Sequence, residues 1–112
     1  MANRSFPNAE GILNATLSTQ RDDGSWYFPS IPQLHETAIQ VSFLSVVNPL
    51  YPEWSEDIQE AINKSKPFLL SAYKTVDWDD KTYGYFVVSG SEEFTVWNFY
   101  FGVLGVMSTE LM

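Results

Sequence analysis

Cysteine is absent from this sequence of 112 residues, and histidine occurs only once. Without cysteine the chain has no disulfide, no thiolate metal ligand and no cysteine nucleophile. One histidine without cysteine also argues against a zinc site. We therefore expect no metal and no cofactor, and a chain free of cysteine suits a cytoplasmic location.

Basic residues are few, with 6 lysines and arginines against 14 acidic residues and a net charge of −8. Such a chain is repelled by nucleic-acid backbones and anionic membrane surfaces, whereas a basic protein partner is compatible with it. No uncharged run approaches the ~20 residues that span a bilayer. We therefore expect no nucleic-acid partner and no membrane span.

Large apolar side chains are abundant, with 45% hydrophobic and 16% aromatic residues. A disordered chain contains far fewer such groups. The length accommodates one hydrophobic core, so residues 1–112 are expected to form a single domain.

The first half shows helical spacing on both sides of a loop. Residues 5–19 are predicted to form a helix, with Ser5 as a candidate N-cap. Residues 20–33 contain Pro29 and Pro32 and are predicted to be a loop.

Two further helices are predicted in the middle of the chain. Residues 34–47 are apolar on nearly all sides, as in a buried helix, although their β-branched residues leave a strand as an alternative. Ser55 can cap the next helix, whose first turn contains Glu56 and Asp57. Pro67 is expected to kink or divide that helix, because proline inside a helix costs ~3 kcal/mol.

The last third is ambiguous. Residues 82–88 and 94–101 are rich in aromatic and β-branched side chains, which favours a β-hairpin around the intervening serines and glycine. In contrast, Phe94, Trp97 and Phe101 lie at helical offsets. Local propensity leaves both structures open.

An internal repeat at an offset of about 57 residues favours the helix. It aligns Asp22-Asp23-Gly24-Ser25-Trp26 with Asp79-Asp80-Lys81-Thr82-Tyr83, Glu36 with Glu93, and Phe43 with Tyr100. The alternative is that an acidic turn followed by an aromatic recurred by chance. A true repeat predicts a helix, an aromatic loop and a second helix in each half.

The motif Gln20-x-x-x-Gly24-x-Trp26 resembles the glutamine–tryptophan repeat of terpenoid cyclases and protein prenyltransferases. The resemblance implies a mainly α fold, with two helical hairpins of the α/α-toroid type at approximately 1–52 and 53–112. It also implies that Gln20 caps helix ends while the Trp26 ring packs beside it. The second half matches poorly, because Asp77 and Tyr83 replace the glutamine and the tryptophan.

The segment Asp77-Trp78-Asp79-Asp80 is the candidate catalytic motif. It is similar to the Asp-x-Asp-Asp pattern of class II terpene cyclases, and this similarity implies that Asp77, Asp79 or Asp80 protonates an alkene or epoxide. Carboxylates crowded in an apolar site can retain a proton at neutral pH. The alternative is a solvated turn, since the repeat aligns the motif with a loop.

Four aromatic side chains are candidates for binding an apolar ligand or sheltering a carbocation, because their ring faces attract positive charge. They are Trp78, Tyr83, Trp97 and Tyr100.

Two functions follow from these features. Two hairpins leave an apolar flank open, so the first hypothesis is a terpenoid-cyclase-like module that associates with itself or another subunit and binds an isoprenoid. If it is an enzyme, the reaction is proton-initiated cyclisation. The second is a small acidic inhibitor that covers a basic protein, using exposed aromatics such as Trp54 and Trp78.

Overall fold

Four helices and one β-hairpin make up the computed structural model, which describes residues 8–88 and 96–110. In chain order the elements are α1 (Ala9–Ser18), α2 (Gln33–Val47), α3 (Ser55–Ser71), β1 (Tyr73–Trp78), β2 (Lys81–Phe86) and α4 (Val96–Glu110). The two strands pair antiparallel. The predicted mainly α fold class is confirmed, and the structure also contains a short β-hairpin, which was the predicted alternative for residues 82–101.

The first half follows the prediction closely. Helix α1 begins after Asn8, which is left-handed with φ 57°, while the candidate cap Ser5 lies outside the described residues. The loop ends at Pro32, and residues 33–47 form a helix rather than the alternative strand.

Helix α3 differs from the prediction in two respects, its continuity at Pro67 and the role of Ser55. It continues through Pro67 as one helix of 17 residues, so the proline does not divide it. Ile58, Ile62 and Leu69 are fully buried on its inner side, and their packing outweighs the missing hydrogen bond. Ser55 is the first helical residue rather than the cap, and its hydroxyl instead accepts a hydrogen bond from Gln59.

The β-hairpin forms with a different partner from the one expected. Strand β2 pairs with β1, from Tyr73 opposite Phe86 to Trp78 opposite Lys81. The segment expected to be its partner is helical from residue 96, as the repeat predicted, and residues 89–95 lie outside the described part of the chain.

Helices α2 and α4 lie side by side and run parallel. His35 contacts Asn98 and Phe101, and three residues further along α2 Ala38 approaches Gly105. A Cβ on Gly105 would lie 3.2 Å from the Ala38 Cβ, so glycine permits the close approach of the two helices.

The core lies between these helices and α3. Its fully buried apolar side chains include Leu13, Trp26, Leu34, Val41, Leu44, Ile58, Ile62 and Leu69. Each half consists of a helix, a connection and a second helix, but the connection is a loop in the first half and a hairpin in the second. The division into two repeats stays a prediction.

Candidate functional site

The loop after α1 is tied to α3 by the side chain of Gln20. Its Nε2 donates hydrogen bonds to the carbonyl oxygens of Gly24, at 3.0 Å, and Ala61, at 2.8 Å. Ala61 lies in the interior of α3, not at a helix end as the resemblance implied. Gln20 therefore joins the first half of the chain to the second.

Trp26 joins α1 and α2. Its indole is fully buried and donates from Nε1 to the Thr16 carbonyl, at 2.8 Å, in the last turn of α1. This bond satisfies a carbonyl that has no partner within the helix. The Trp26 amide donates to Thr37 Oγ1, at 3.0 Å, in α2.

Gly24 allows the loop to lie directly against α3. Its φ is +88°, and a Cβ at this position would lie 2.0 Å from the Lys64 carbonyl oxygen. Only glycine fits both the backbone conformation and the contact. The predicted structural motif thus holds α1, α2 and α3 together.

Asp23 fixes the shape of this loop. Its Oδ1 accepts hydrogen bonds from the Ser25 amide, at 3.0 Å, and from the Ser25 hydroxyl, which in turn accepts one from Gln33. The hydroxyl bond is the largest cause that lowers the pKa of Asp23, and the amide and the Arg21 charge act in the same direction.

The candidate catalytic carboxylates lie on the hairpin and are exposed to solvent. Asp77 is in β1 and accepts a hydrogen bond from Thr82 Oγ1 at 2.7 Å. Asp79 and Asp80 form the turn. Protonating a hydrocarbon requires an acid held in an apolar enclosure, and the described residues provide none around this turn. Their catalytic role stays a prediction.

The four candidate ligand-binding aromatics divide into two groups. Trp97 and Tyr100 lie on α4, with ring centroids 6.5 Å apart in an edge-to-face arrangement. Trp78 and Tyr83 lie on one face of the hairpin. The structure therefore does not bring the four together in one site.

Trp97 and Tyr100 belong to a larger surface, the α2–α4 face. It is formed by exposed side chains at helical spacing on the same side of the two parallel helices. Its exposed members are Ile39 and Val46 on α2 and Trp97, Tyr100 and Met107 on α4, and the half-buried His35, Ser42, Phe101 and Leu104 complete it.

Stacked rings join the two helices at one end of this face. His35 lies against Phe101 with ring centroids 4.6 Å apart, and Phe101 lies 6.3 Å from Trp97. The His35 Nε2 and Asn98 Oδ1 atoms are 2.8 Å apart. The rings form one continuous aromatic surface.

The α2–α4 face carries no charged side chain. Glu36, the only charged residue of α2, is buried and accepts a hydrogen bond from Gln40. Glu110, the only one of α4, lies at its last residue and pairs with Lys66 of α3. The residues of this face on α2 were detectable from their helical spacing. That they form one surface with α4 was not predictable, because it depends on how the two helices pack.

Within residues 8–88 and 96–110, no group of three or more acidic or histidine side chains is placed to hold a metal ion. None of the helices in these ranges has both the length and the apolarity to cross a membrane. Comparison of the chain with family models, curated proteins and solved structures found no match.

Proposed function

We propose that this chain is a helical repeat module, similar to units of terpenoid cyclases and protein prenyltransferases, that binds an apolar isoprenoid on the α2–α4 face. The observation that carries the proposal is an exposed, aromatic and uncharged surface on two parallel helices of an acidic chain. Contiguous apolar surface of this kind marks binding sites in folded proteins.

The chemistry of the face favours the hydrocarbon part of a ligand. Trp97, Tyr100 and Phe101 offer ring surfaces, while Ile39 and Val46 continue the apolar surface along α2. No lysine or arginine lies on the face, and the net charge of −8 opposes an anionic head group. A neutral prenyl alcohol is therefore expected to bind more tightly than the corresponding diphosphate.

An open face of this composition also supports association with a second copy or another subunit that encloses the ligand. The proposal concerns binding. Cyclisation initiated by Asp77, Asp79 or Asp80 requires that such a subunit also enclose the hairpin turn, because the turn is open to solvent in the single chain.

Thermal unfolding with farnesol and farnesyl diphosphate tests the proposal. A ligand present at about ten times its Kd stabilises the folded state by ~1.4 kcal/mol, which raises the Tm by several degrees. We expect farnesol to produce this rise, with a smaller effect of the diphosphate.

Two tryptophan variants provide a matched pair for this experiment. Trp97→Ala should abolish the rise and Trp78→Ala should preserve it, since both side chains are exposed, at 65% and 72%, but only Trp97 lies on the α2–α4 face. A Tm unchanged by every prenyl compound, or an equal loss in both variants, would count against the proposal.

A second candidate function is an acidic inhibitor of a basic protein. A groove of about 350 Å³ between α1 and α3 is lined by Trp54, Asp57 and Glu60, with Lys64 at its side. Titration with a lysine-rich peptide at low and high salt tests this function. Binding that weakens steeply with salt, and disappears in the double variant D57N/E60Q, would support it.

A further inference from the structure

The hairpin exposes the backbone of β1 and a face on which Val76, Trp78 and Tyr83 lie beside Lys74 and Lys81. All six residues of β1 are exposed, including Val76 and Trp78, and the neighbouring Tyr83 of β2 is also exposed. A sheet of two strands is marginally stable in water, and three or more strands or packing against a helix are usually needed. Within the described residues, β1 pairs with β2 alone.

The register shows which backbone groups of β1 point outward. Trp78 and Lys81 flank a turn of two residues and therefore form a hydrogen-bonded pair, and the Val87 amide donates to the Ala72 carbonyl at the opposite end. Alternate residues of β1 thus bond to β2. The N–H and C=O groups of Tyr73, Thr75 and Asp77 face away from the hairpin.

We propose that β1 pairs antiparallel with β1 of a second copy, which joins two hairpins into a four-stranded sheet. A two-fold axis normal to the sheet keeps equivalent side chains on the same face. With Val76 on this axis, Lys74 lies opposite Trp78 of the second copy, and Thr75 lies opposite its Asp77.

The charges of β1 favour a second copy of the same strand as the partner at this sheet edge, because the strand is complementary to itself. Strand β1 carries one positive and one negative side chain, Lys74 and Asp77, so two such strands meet with no net charge in a chain that otherwise has a net charge of −8. The ammonium of Lys74 facing the Trp78 indole gives a cation–π pair, and the Thr75 hydroxyl can donate to the carboxylate of the opposite Asp77.

Two proline variants test the pairing by analytical ultracentrifugation of the full chain. Thr75→Pro removes an N–H that faces outward from β1 and leaves the bonds to β2 in place. Thr82→Pro removes the corresponding outward N–H of β2 and is the matched control. We expect the wild type and Thr82→Pro to approach twice the 12.8 kDa chain mass as concentration rises, and Thr75→Pro to dimerise about tenfold more weakly or not at all.

Val76→Lys keeps the test decisive if proline disturbs the hairpin. It preserves every backbone donor and places two ammonium groups opposite each other on the two-fold axis. We expect weaker dimerisation that recovers with added salt.

A wild type that stays monomeric up to about 1 mM, or a Thr75→Pro dimer as stable as the wild type, would overturn the pairing. Loss of the dimer in Thr82→Pro but not in Thr75→Pro would place the contact at β2 and would also overturn the proposed β1 pairing. The proposed ligand site lies on other elements, so either proposal can fail without the other.

Discussion

Gln20 illustrates how one neutral side chain can join two parts of a small fold. Its amide group donates both of its bonds to backbone carbonyls, one in its own loop and one inside α3. An amide does this without the cost of burying a charge, which explains the choice of glutamine over lysine at a half-buried position.

Replacing Gln20 with alanine should lower the free energy of unfolding by about 1–2 kcal/mol, because two hydrogen bonds are lost. Gln59→Ala is the matched control, since Gln59 is exposed and its side chain donates a hydrogen bond to Ser55 within the same helix; we expect a change within about 0.5 kcal/mol. Urea denaturation measures both. Equal effects of the two substitutions would contradict the role of Gln20.

The carboxylate of Asp23 makes stability depend on pH in acid. Because its folded-state pKa lies below the ordinary value of 3.8, the charged form stabilises the folded protein above that value. This contribution is lost as pH falls through the folded-state pKa. We expect the wild type to lose more stability than Asp23→Asn between about pH 5 and 2.5 in thermal unfolding.

Asp22→Asn is the control for this experiment, because the Ser25 hydrogen bonds go to Asp23 and none among residues 8–88 and 96–110 holds the Asp22 carboxylate. Asp22→Asn should lose as much stability as the wild type over the same pH range. A wild type and Asp23→Asn with the same pH dependence would contradict the interpretation.

At the scale of elements, the turn of the hairpin is built from two aspartates, which tolerate its left-handed conformation but favour it less than asparagine and glycine do. Asp79 and Asp80 both have positive φ, 52° and 61°, as in a type I′ turn. Asparagine followed by glycine adopts this conformation more readily than two aspartates.

The double variant D79N/D80G should therefore stabilise the hairpin, by about 1 kcal/mol. Hydrogen exchange of the Val76 and Tyr83 amides, which bond across the hairpin, measures this locally. We expect slower exchange in the variant. The unaltered helices provide the internal control, and faster or unchanged exchange at the two amides would contradict the turn assignment.

The same turn explains why the hairpin was predicted with the wrong partner. Strand β2 was recognisable from its aromatic residues, but an Asp79-Asp80 pair carries no glycine or asparagine to mark a tight turn. The internal repeat, rather than local propensity, predicted a helix from Phe94 onward, and the structure describes that helix from Val96.

Some of the other elements could be predicted from local sequence, and others depend on tertiary packing. Helix α2 was predictable to within a residue, because Pro32 precedes it and its apolar pattern is long. The continuity of α3 through Pro67 was not predictable from the sequence, because it depends on packing against a core that only the folded chain forms. The α2–α4 face likewise depends on the approach of Ala38 to Gly105.

At the scale of the whole molecule, charge and apolar surface are segregated. The exposed charges of the helices lie mainly on α3, including Glu56, Asp57, Glu60 and Lys64. The α2–α4 face is exposed and uncharged. We propose that this face, rather than the hairpin or the acidic side, binds an apolar ligand.

The chain's four tryptophans, Trp26, Trp54, Trp78 and Trp97, test this claim directly in one experiment. Each gives a separate indole N–H signal in a ¹H–¹⁵N spectrum, and each reports on a different part of the molecule. The measurement is a titration with farnesol at a protein concentration low enough to hold the oligomeric state constant.

We predict that the Trp97 signal shifts in a saturable manner, because its ring is exposed on the α2–α4 face, while the buried Trp26 and the hairpin Trp78 stay in place. A saturable shift of Trp78 or Trp54 with Trp97 unchanged, or no shift in any of the four signals, would contradict ligand binding at the α2–α4 face.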